Sequence, residues 1–294
     1  MRRVRRTRKR GGRRLGQGVE GEVYTPPLRC SGVADVEWQS PDYVSKVTDA
    51  AGVEQEYKAS YLIRQLDPAG DWSIHAEQRC AILPKQANAN YRTAADRLEQ
   101  LIFRNGGASL LDYLLDQSGR SEHFQFYIQG ITEAGDPDPR AYTYLNYSHL
   151  TTVIELVKRL LPKIDLLNSI YLHGDLHLGN IVYDGDRPRI IDFAGLSPID
   201  AEVERANSVW SELGVDALVK GHPQQMNLID EATRDKAAAR DLATLFHNIL
   251  TILASKWVQA ESGGRYDEWV KKYRDPTILH FRSDFKVAIM EIPA

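Results

Sequence analysis

Cysteine is scarce in this sequence: Cys30 and Cys80 are the two cysteines among 294 residues. So few cysteines exclude a scaffold held together by several disulfides. We interpret both as small packing residues. Their scarcity predicts an intracellular protein in a reducing compartment.

Long hydrophobic runs are also missing. No window approaches the roughly 20 apolar residues that a membrane span requires. The basic start is not followed by the apolar stretch that is typical of a secretory signal. We therefore expect a soluble protein without membrane contact, and its 43% hydrophobic content is enough for one large or two moderate cores.

Acidic residues are absent from the first 14 positions, which hold nine arginines or lysines. Because the whole chain has a net charge of −3, the remainder is acidic. Residues 1–12 are predicted to form a disordered basic arm. Such an arm suits weak contact with nucleic acid, another acidic surface or a nuclear import receptor, and the alternative is a solvated tail without a partner.

Carboxylate and amide side chains cluster in a window of alternating turn and strand signals. Asp175 and Asn180 lie between two apolar runs, Ile170–Leu172 and Ile181–Tyr183, which are typical of short strands. A hairpin turn and a third run then lead to Asp192. Transfer of a γ-phosphoryl group requires hard cations with oxygen ligands and a carboxylate that holds the acceptor hydroxyl. The alternative is a hairpin in which these side chains only cap turns.

A glycine pattern, G-x-G-x-x-G-x-V, precedes this window by about 150 positions. It comprises Gly16, Gln17, Gly18, Gly21 and Val23. The flanking apolar residues predict two antiparallel strands whose turn folds over nucleotide phosphates. No helical pattern follows directly, which argues against a dinucleotide-binding βαβ unit.

The order H-x-D-x-x-x-x-N, then a hairpin, then D-F-x-G resembles the catalytic and metal-binding loops of the protein kinase superfamily. This resemblance implies that Asp175 is the catalytic base and that Asn180 and Asp192 bind Mg²⁺. It also implies that Lys46, in a predicted strand, contacts the α- and β-phosphates of ATP. Glu56, on a helix predicted from Val53 to Leu66, would orient Lys46, with Glu54 as the rival.

The resemblance implies an α+β, bilobal kinase fold. A small β-rich N-lobe would span residues 13–107 and a larger, mainly α C-lobe residues 108–294. Arg104 and Gly106 would lie at a hinge whose backbone groups are available to an adenine ring. Helices are predicted at Leu150–Leu167 and Asp241–Leu253, and by the resemblance Asp241 braces the catalytic loop.

A narrower resemblance is to the protein-kinase-like proteins of large DNA viruses. It depends on five short features: Pro26–Cys30, Tyr43–Lys46, Leu66–Pro68, Cys80 and Gly106–Gly107. It implies a viral protein acting in the host cytoplasm, the nucleus or the virion.

The predicted function is ATP- and Mg²⁺-dependent phosphorylation of a serine or threonine hydroxyl of a protein. The alternative acceptor is a small molecule, because H-G-D-L-H-x-G-N also resembles phosphotransferases of the aminoglycoside and choline kinase type. Gly174 stands where many protein kinases have arginine. His177 would stabilise the transferring phosphate only when protonated, or would simply hydrogen-bond within its loop. A third hypothesis is a non-catalytic binding module.

Overall fold

The computed structural model describes residues 12–18, 21–32, 38–82, 98–114, 145–204, 234–274, 279 and 281–293. The chain divides into two compact units, Met1–Gly106 and Gly107–Ala294. The predicted mixture of helix and sheet is confirmed, with a sheet-rich first unit. Residues 1–11 of the predicted basic arm lie outside the described residues.

The first unit is built on a five-stranded antiparallel sheet with the strand order β1-β2-β3-β5-β4. Its elements are β1 (Arg13–Gly18), β2 (Gly21–Thr25), β3 (Tyr43–Asp49), α1 (Ala50–Leu66), β4 (Gln78–Ala81) and β5 (Leu98–Arg104). The two strands that flank the glycine pattern pair in the predicted antiparallel sense, with Gly18 of β1 opposite Gly21 of β2.

One face of this sheet packs against α1. Leu101 of β5 lies directly opposite Lys46 of β3, so both side chains point to the same face. Leu101 forms a buried cluster with Val53 of α1 and Ala76. The helix begins three residues before the predicted start, because the Asp49 carboxylate caps it by accepting a hydrogen bond from Gly52 N–H at 2.7 Å.

The other face is covered by the segment that follows β2. Leu28 of this segment is buried in a cluster with Tyr24, Val47, Ile82 and Leu98. The buried Gln100 side chain donates a hydrogen bond to the Leu28 carbonyl at 2.7 Å. The segment is therefore fixed across β5 and reaches the edge of β4.

This course of the chain corrects the interpretation of the two cysteines. Cys30 forms an isolated antiparallel β-bridge with Ile82, which lies just beyond β4. Ser31 N–H donates a hydrogen bond to the Ala81 carbonyl at 2.7 Å. Cys30 and Cys80 are thereby brought to a Cα separation of 5.6 Å and form a disulfide. The prediction of two separate packing residues was wrong, and the inference of a reducing compartment loses the support that it drew from them.

The described part of the second unit is mainly helical and contains two small antiparallel sheets, β6-β8-β9 and β7-β10. Its elements are β6 (Ala108–Ser109), α2 (Leu110–Leu114), α3 (Tyr147–Leu167), β7 (Tyr171–Leu172), β8 (Ile181–Tyr183), β9 (Pro188–Ile190), β10 (Ser197–Pro198), α4 (Arg240–Leu253), α5 (Lys256–Glu261), α6 (Asp267–Tyr273) and α7 (Arg282–Met290). Short 3₁₀ turns occupy Leu178–Asn180 and Phe193–Gly195.

The core of this unit forms around α3 and α4, the two helices that the apolar periodicity predicted. Phe246 of α4 is fully buried, and its ring lies 5.6–6.0 Å, between centroids, from the rings of Trp269, Tyr273 and Phe285. These contacts place α6 and α7 on one side of α4. Among the described residues, no helix has the length and apolar character needed to cross a membrane.

The disulfide generates a prediction for stability. Replacing both Cys30 and Cys80 by serine should lower the free energy of unfolding by roughly 2–4 kcal/mol, because the bond closes a long loop in the unfolded chain. Urea unfolding of the wild type and the double variant measures this difference. The wild type should also show no thiol that can be alkylated under denaturing, non-reducing conditions. Two alkylated cysteines in the wild type, or equal stabilities, would contradict the disulfide.

Candidate active site

A buried carboxylate at the start of α4 holds the loop that follows β7. Asp241 is 1% exposed. One of its oxygens accepts hydrogen bonds from His173 N–H and from the Asn168 side-chain amide, each at 2.7 Å. The other accepts from Gly174 N–H at 3.0 Å. A buried carboxylate is tolerated when donors satisfy it, so this loop and the helix stabilise each other.

A second side chain of α4 holds the far end of the same loop. Asn248 lies two helical turns after Asp241 on the same face, and its side-chain oxygen accepts from Leu178 N–H at 3.3 Å. Sequence reasoning missed Asn248. The available signal was the spacing of seven between Asp241 and Asn248, which places both on one face of the predicted helix.

The His173 imidazole connects this loop to the chain before Asp192. Its Nδ1 accepts from Asp175 N–H at 3.3 Å, and its Nε2 lies 2.8 Å from the Ile191 carbonyl. Since Nδ1 is an acceptor, the proton is on Nε2 and is donated to Ile191. One buried ring therefore fixes the backbone of Asp175 relative to that of Asp192.

Two glycines allow the same segments to approach closely. Gly174 has φ +86°, and a Cβ built there would lie 2.7 Å from the Gly195 carbonyl oxygen. A Cβ at Gly195 would lie 2.9 Å from the His173 carbonyl oxygen. An arginine at position 174 is thus excluded by both backbone conformation and space.

Asp175 itself presents its side chain to solvent, with 69% of it exposed. The Asn180 amide nitrogen donates to the Asp175 backbone carbonyl at 2.9 Å and lies 3.5 Å from one carboxylate oxygen. The loop is therefore ordered by its backbone while the carboxylate stays accessible. This combination suits a group that must meet a substrate hydroxyl.

Asn180 and Asp192, the predicted metal ligands, are brought near each other by the backbone. Ile191 N–H donates to the Asn180 carbonyl at 3.0 Å. Because the Asn180 side-chain nitrogen is directed to Asp175, its side-chain oxygen is the end that suits a hard cation. Asp192 adopts a left-handed conformation, φ 63° and ψ 65°, and its carboxylate does not cap the 3₁₀ turn that follows.

The chemistry of this pair fits Mg²⁺. Among the described residues, no group of three or more histidine, cysteine, aspartate or glutamate side chains could hold a metal ion. Mg²⁺ usually takes one or two protein ligands and fills its remaining positions with water and substrate phosphates. One carboxylate and one amide oxygen are sufficient for that mode.

His177 lies beside Asp175. Its environment disfavours the protonated imidazole that it would need to stabilise the transferring phosphate. Its Nδ1 accepts from Gly179 N–H at 3.0 Å, and its Nε2 is 3.5 Å from the Asp175 carboxylate. Burial lowers the pKa of His177 more than the charges of Asp175 and Asp192 raise it. The predicted protonated role is therefore not favoured, whereas the predicted hydrogen bond within the loop is present.

In the first unit, Lys46 and Glu56 form an ion pair with an N–O distance of 3.0 Å. The Glu56 side chain is 3% exposed and that of Lys46 is 12% exposed. Glu54 instead contacts Lys58 and Arg79. The geometry thus selects Glu56 over Glu54 as the partner of Lys46.

The predicted phosphate-binding hairpin lies next to this ion pair in the sheet. Val23 of β2 is the direct neighbour of Lys46, while Gly16 pairs with Val23 and Gln17 pairs with Glu22. The glycine hairpin and the lysine strand are therefore adjacent within the first unit. Their contact with a nucleotide stays a prediction.

Arg104 and Gly106, the predicted hinge residues, are placed at the end of the first unit. The Arg104 guanidinium pairs with Glu77 at 2.8 Å and lies 5.5 Å from the centre of the Tyr43 ring. The Arg104 side chain is thus engaged at the end of β5. Gly106 is the last residue of this unit and is buried. The adenine-binding role of both residues stays a prediction.

Comparison with known families identifies the class of protein. The profile of the phosphotransferase enzyme family (APH) matches residues 92–239, which is half of the chain. The chain belongs to this phosphotransferase family, which confirms the predicted kinase-like superfamily and a kinase-type phosphoryl transfer. The match includes Asp175, Asn180 and Asp192, whereas Lys46 and the glycine hairpin lie before it. No curated protein matches the chain at a significant level.

The contacts of Asp241 predict the effect of an isosteric change. Asp241→Asn should lower the free energy of unfolding by about 2–3 kcal/mol, because an amide NH₂ would face buried donors that need an acceptor. Asp186→Asn, in an exposed turn with 86% of the Asp186 side chain accessible, serves as the matched control and should change it by less than about 0.5 kcal/mol. Chemical unfolding measures both. Equal stabilities of the two variants would contradict the bracing role.

The lowered pKa of His177 predicts a pH dependence of stability. Because the folded-state pKa lies below the unfolded value of about 6.5, the unfolded chain binds more protons near pH 6. The contribution of His177 is complete above pH 6.5 and is lost as the pH falls below it. Urea unfolding at pH 7.5 and 5.5 should therefore show a smaller loss for His177→Gln than for the wild type. A larger loss in the variant would refute this assignment.

Proposed function

We propose that this phosphotransferase transfers the γ-phosphoryl group of ATP to a hydroxyl group in a Mg²⁺-dependent reaction. The proposal is supported chiefly by Asp175, whose backbone is fixed through His173 and Asn180 while its carboxylate stays exposed. In that role Asp175 aligns the acceptor hydroxyl and accepts its proton.

The charged groups of ATP require partners of opposite charge. Lys46 would bind the α- and β-phosphates, and its ion pair with Glu56 holds the ammonium group in place. Asn180 and Asp192 would hold Mg²⁺, which neutralises phosphate charge when it is bound. The hairpin residues Gly16–Val23 would cover the phosphates with backbone N–H groups.

Two classes of molecule are candidates for the hydroxyl acceptor. A small-molecule hydroxyl is favoured by the family membership together with the motif H-G-D-L-H-x-G-N, which resembles aminoglycoside and choline kinase types. Gly174 agrees with this choice, since its conformation and its contact with Gly195 leave no place for the arginine found in many protein kinases. A protein serine or threonine, which the sequence indicated first, is the second candidate.

Three further hypotheses come from the sequence and concern the origin, the location and a partner of the protein. The viral resemblance, the intracellular location and a nucleic-acid or acidic-surface contact of the basic arm are hypotheses. Purified protein retained on heparin, with loss of retention after removal of residues 1–12, would support the arm's anionic partner. Unchanged retention would count against it.

The decisive experiment is a Mg²⁺-ATP turnover assay with γ-labelled ATP against a panel of small-molecule alcohols and generic protein substrates. Asp175→Asn should lower kcat by about 10²–10⁴-fold, because the acceptor loses its base and its alignment. Asp175→Asn should keep the thermal stabilisation that Mg²⁺-ATP gives the wild type, whereas Asp192→Asn should lose it.

Asp186→Asn again serves as the matched control and should have wild-type turnover. Labelling confined to proteins would reverse the order of the two acceptor classes. Full activity of Asp175→Asn, or no Mg²⁺-dependent nucleotide binding by the wild type, would overturn the proposed function.

A further inference from the structure

The tautomer of His177 follows from its hydrogen bonds. Nδ1 accepts from Gly179 N–H at 3.0 Å and so cannot carry a proton itself. The neutral ring must then carry its proton on Nε2. That nitrogen faces the Asp175 carboxylate, 3.5 Å from Oδ2.

The same carboxylate oxygen is approached from a second side. The Asn180 amide nitrogen lies 3.5 Å from Oδ2 of Asp175. Two N–H groups therefore converge on Oδ2, which leaves Oδ1 for an acceptor hydroxyl. Both contacts are long, as catalytic hydrogen bonds often are before substrate tightens them.

Gly179 confines the imidazole. A Cβ at Gly179 would lie 2.7 Å from Cε1 of His177 and 2.8 Å from its Nδ1. The ring thus packs directly on the glycine backbone, and any side chain there would displace it. The hydrogen bond from Gly179 N–H and the packing of the ring on Gly179 together fix the direction of the N–H bond at Nε2 of His177.

We propose that His177 is a positioning residue which, as a neutral imidazole protonated at Nε2, orients the Asp175 carboxylate through Oδ2 so that Oδ1 receives the acceptor's proton. The inference rests on the proposed function. In this role His177 is neutral, whereas the role in which it stabilises the transferring phosphate requires a protonated, cationic ring. His177 acts through Asp175 and does not itself touch the phosphate.

Two conservative variants separate orientation from loop capping. In His177→Gln the amide nitrogen lies near the position of Nε2, so the donor to Asp175 is kept and the cap is weakened. In His177→Asn the amide oxygen lies near the position of Nδ1, so the cap is kept and the donor to Asp175 is lost.

We expect His177→Gln to keep kcat within about threefold of the wild type and His177→Asn to lower kcat at least about tenfold. KM for ATP should change little in either variant. Gly179→Ala should lower kcat as His177→Asn does, and should cause no further loss when combined with it. The opposite order, with Asn active and Gln impaired, would show a capping role only and overturn the proposal.

A spectroscopic measurement tests the inference without turnover. The ¹⁵N chemical shifts of the His177 ring should report a neutral, Nε2-protonated imidazole at pH 7.5, and the Nε2 shift should change in Asp175→Asn. An imidazolium or an Nδ1-protonated ring would overturn the proposal even in an active enzyme. An inactive wild type with the expected shifts would overturn the proposed function and leave the contact between His177 and Asp175 established.

Discussion

The site in the second unit depends on how one buried negative charge is satisfied. Asp241 is almost fully buried, and a carboxylate in such a place is stable only while donors surround it. Its donors are backbone and side-chain N–H groups of the segment that leads to Asp175. The need to satisfy this charge therefore selects one conformation of the loop that carries Asp175. Asn248 extends the same principle to the end of the loop.

Short contacts also fix the position of the segment around Asp192 relative to the loop that Asp241 holds. His173 spans from Asp175 to the carbonyl that precedes Asp192, and Gly174 and Gly195 allow the two backbones to meet. A side chain at either glycine would separate them. This close approach explains why the motif H-G-D has glycine at position 174. It also explains why the motif D-F-A-G has glycine at position 195, directly after Ala194.

Much of this arrangement could be predicted because its signals are local. The glycine hairpin follows from turn-forming residues between strands, and α4 follows from a continuous apolar pattern. The pairing of Lys46 with Glu56 required a resemblance and then geometry to choose between Glu54 and Glu56. The disulfide could not be predicted, because Cys30 and Cys80 are separated by 50 residues and meet through strand pairing that the sequence does not reveal. The protonation of His177 likewise depends on a cap and on burial, which are tertiary features.

The most direct test of the account is residue-resolved amide hydrogen exchange of the wild type. His173 and Gly174 donate their N–H groups to a buried carboxylate, so both amides should exchange only in rare openings of the second unit. Their opening free energies should approach that of global unfolding, well above those of the exposed turn at Asp186. Fast exchange of the His173 and Gly174 amides, at the rate of that turn, would show that Asp241 does not hold the loop that carries Asp175.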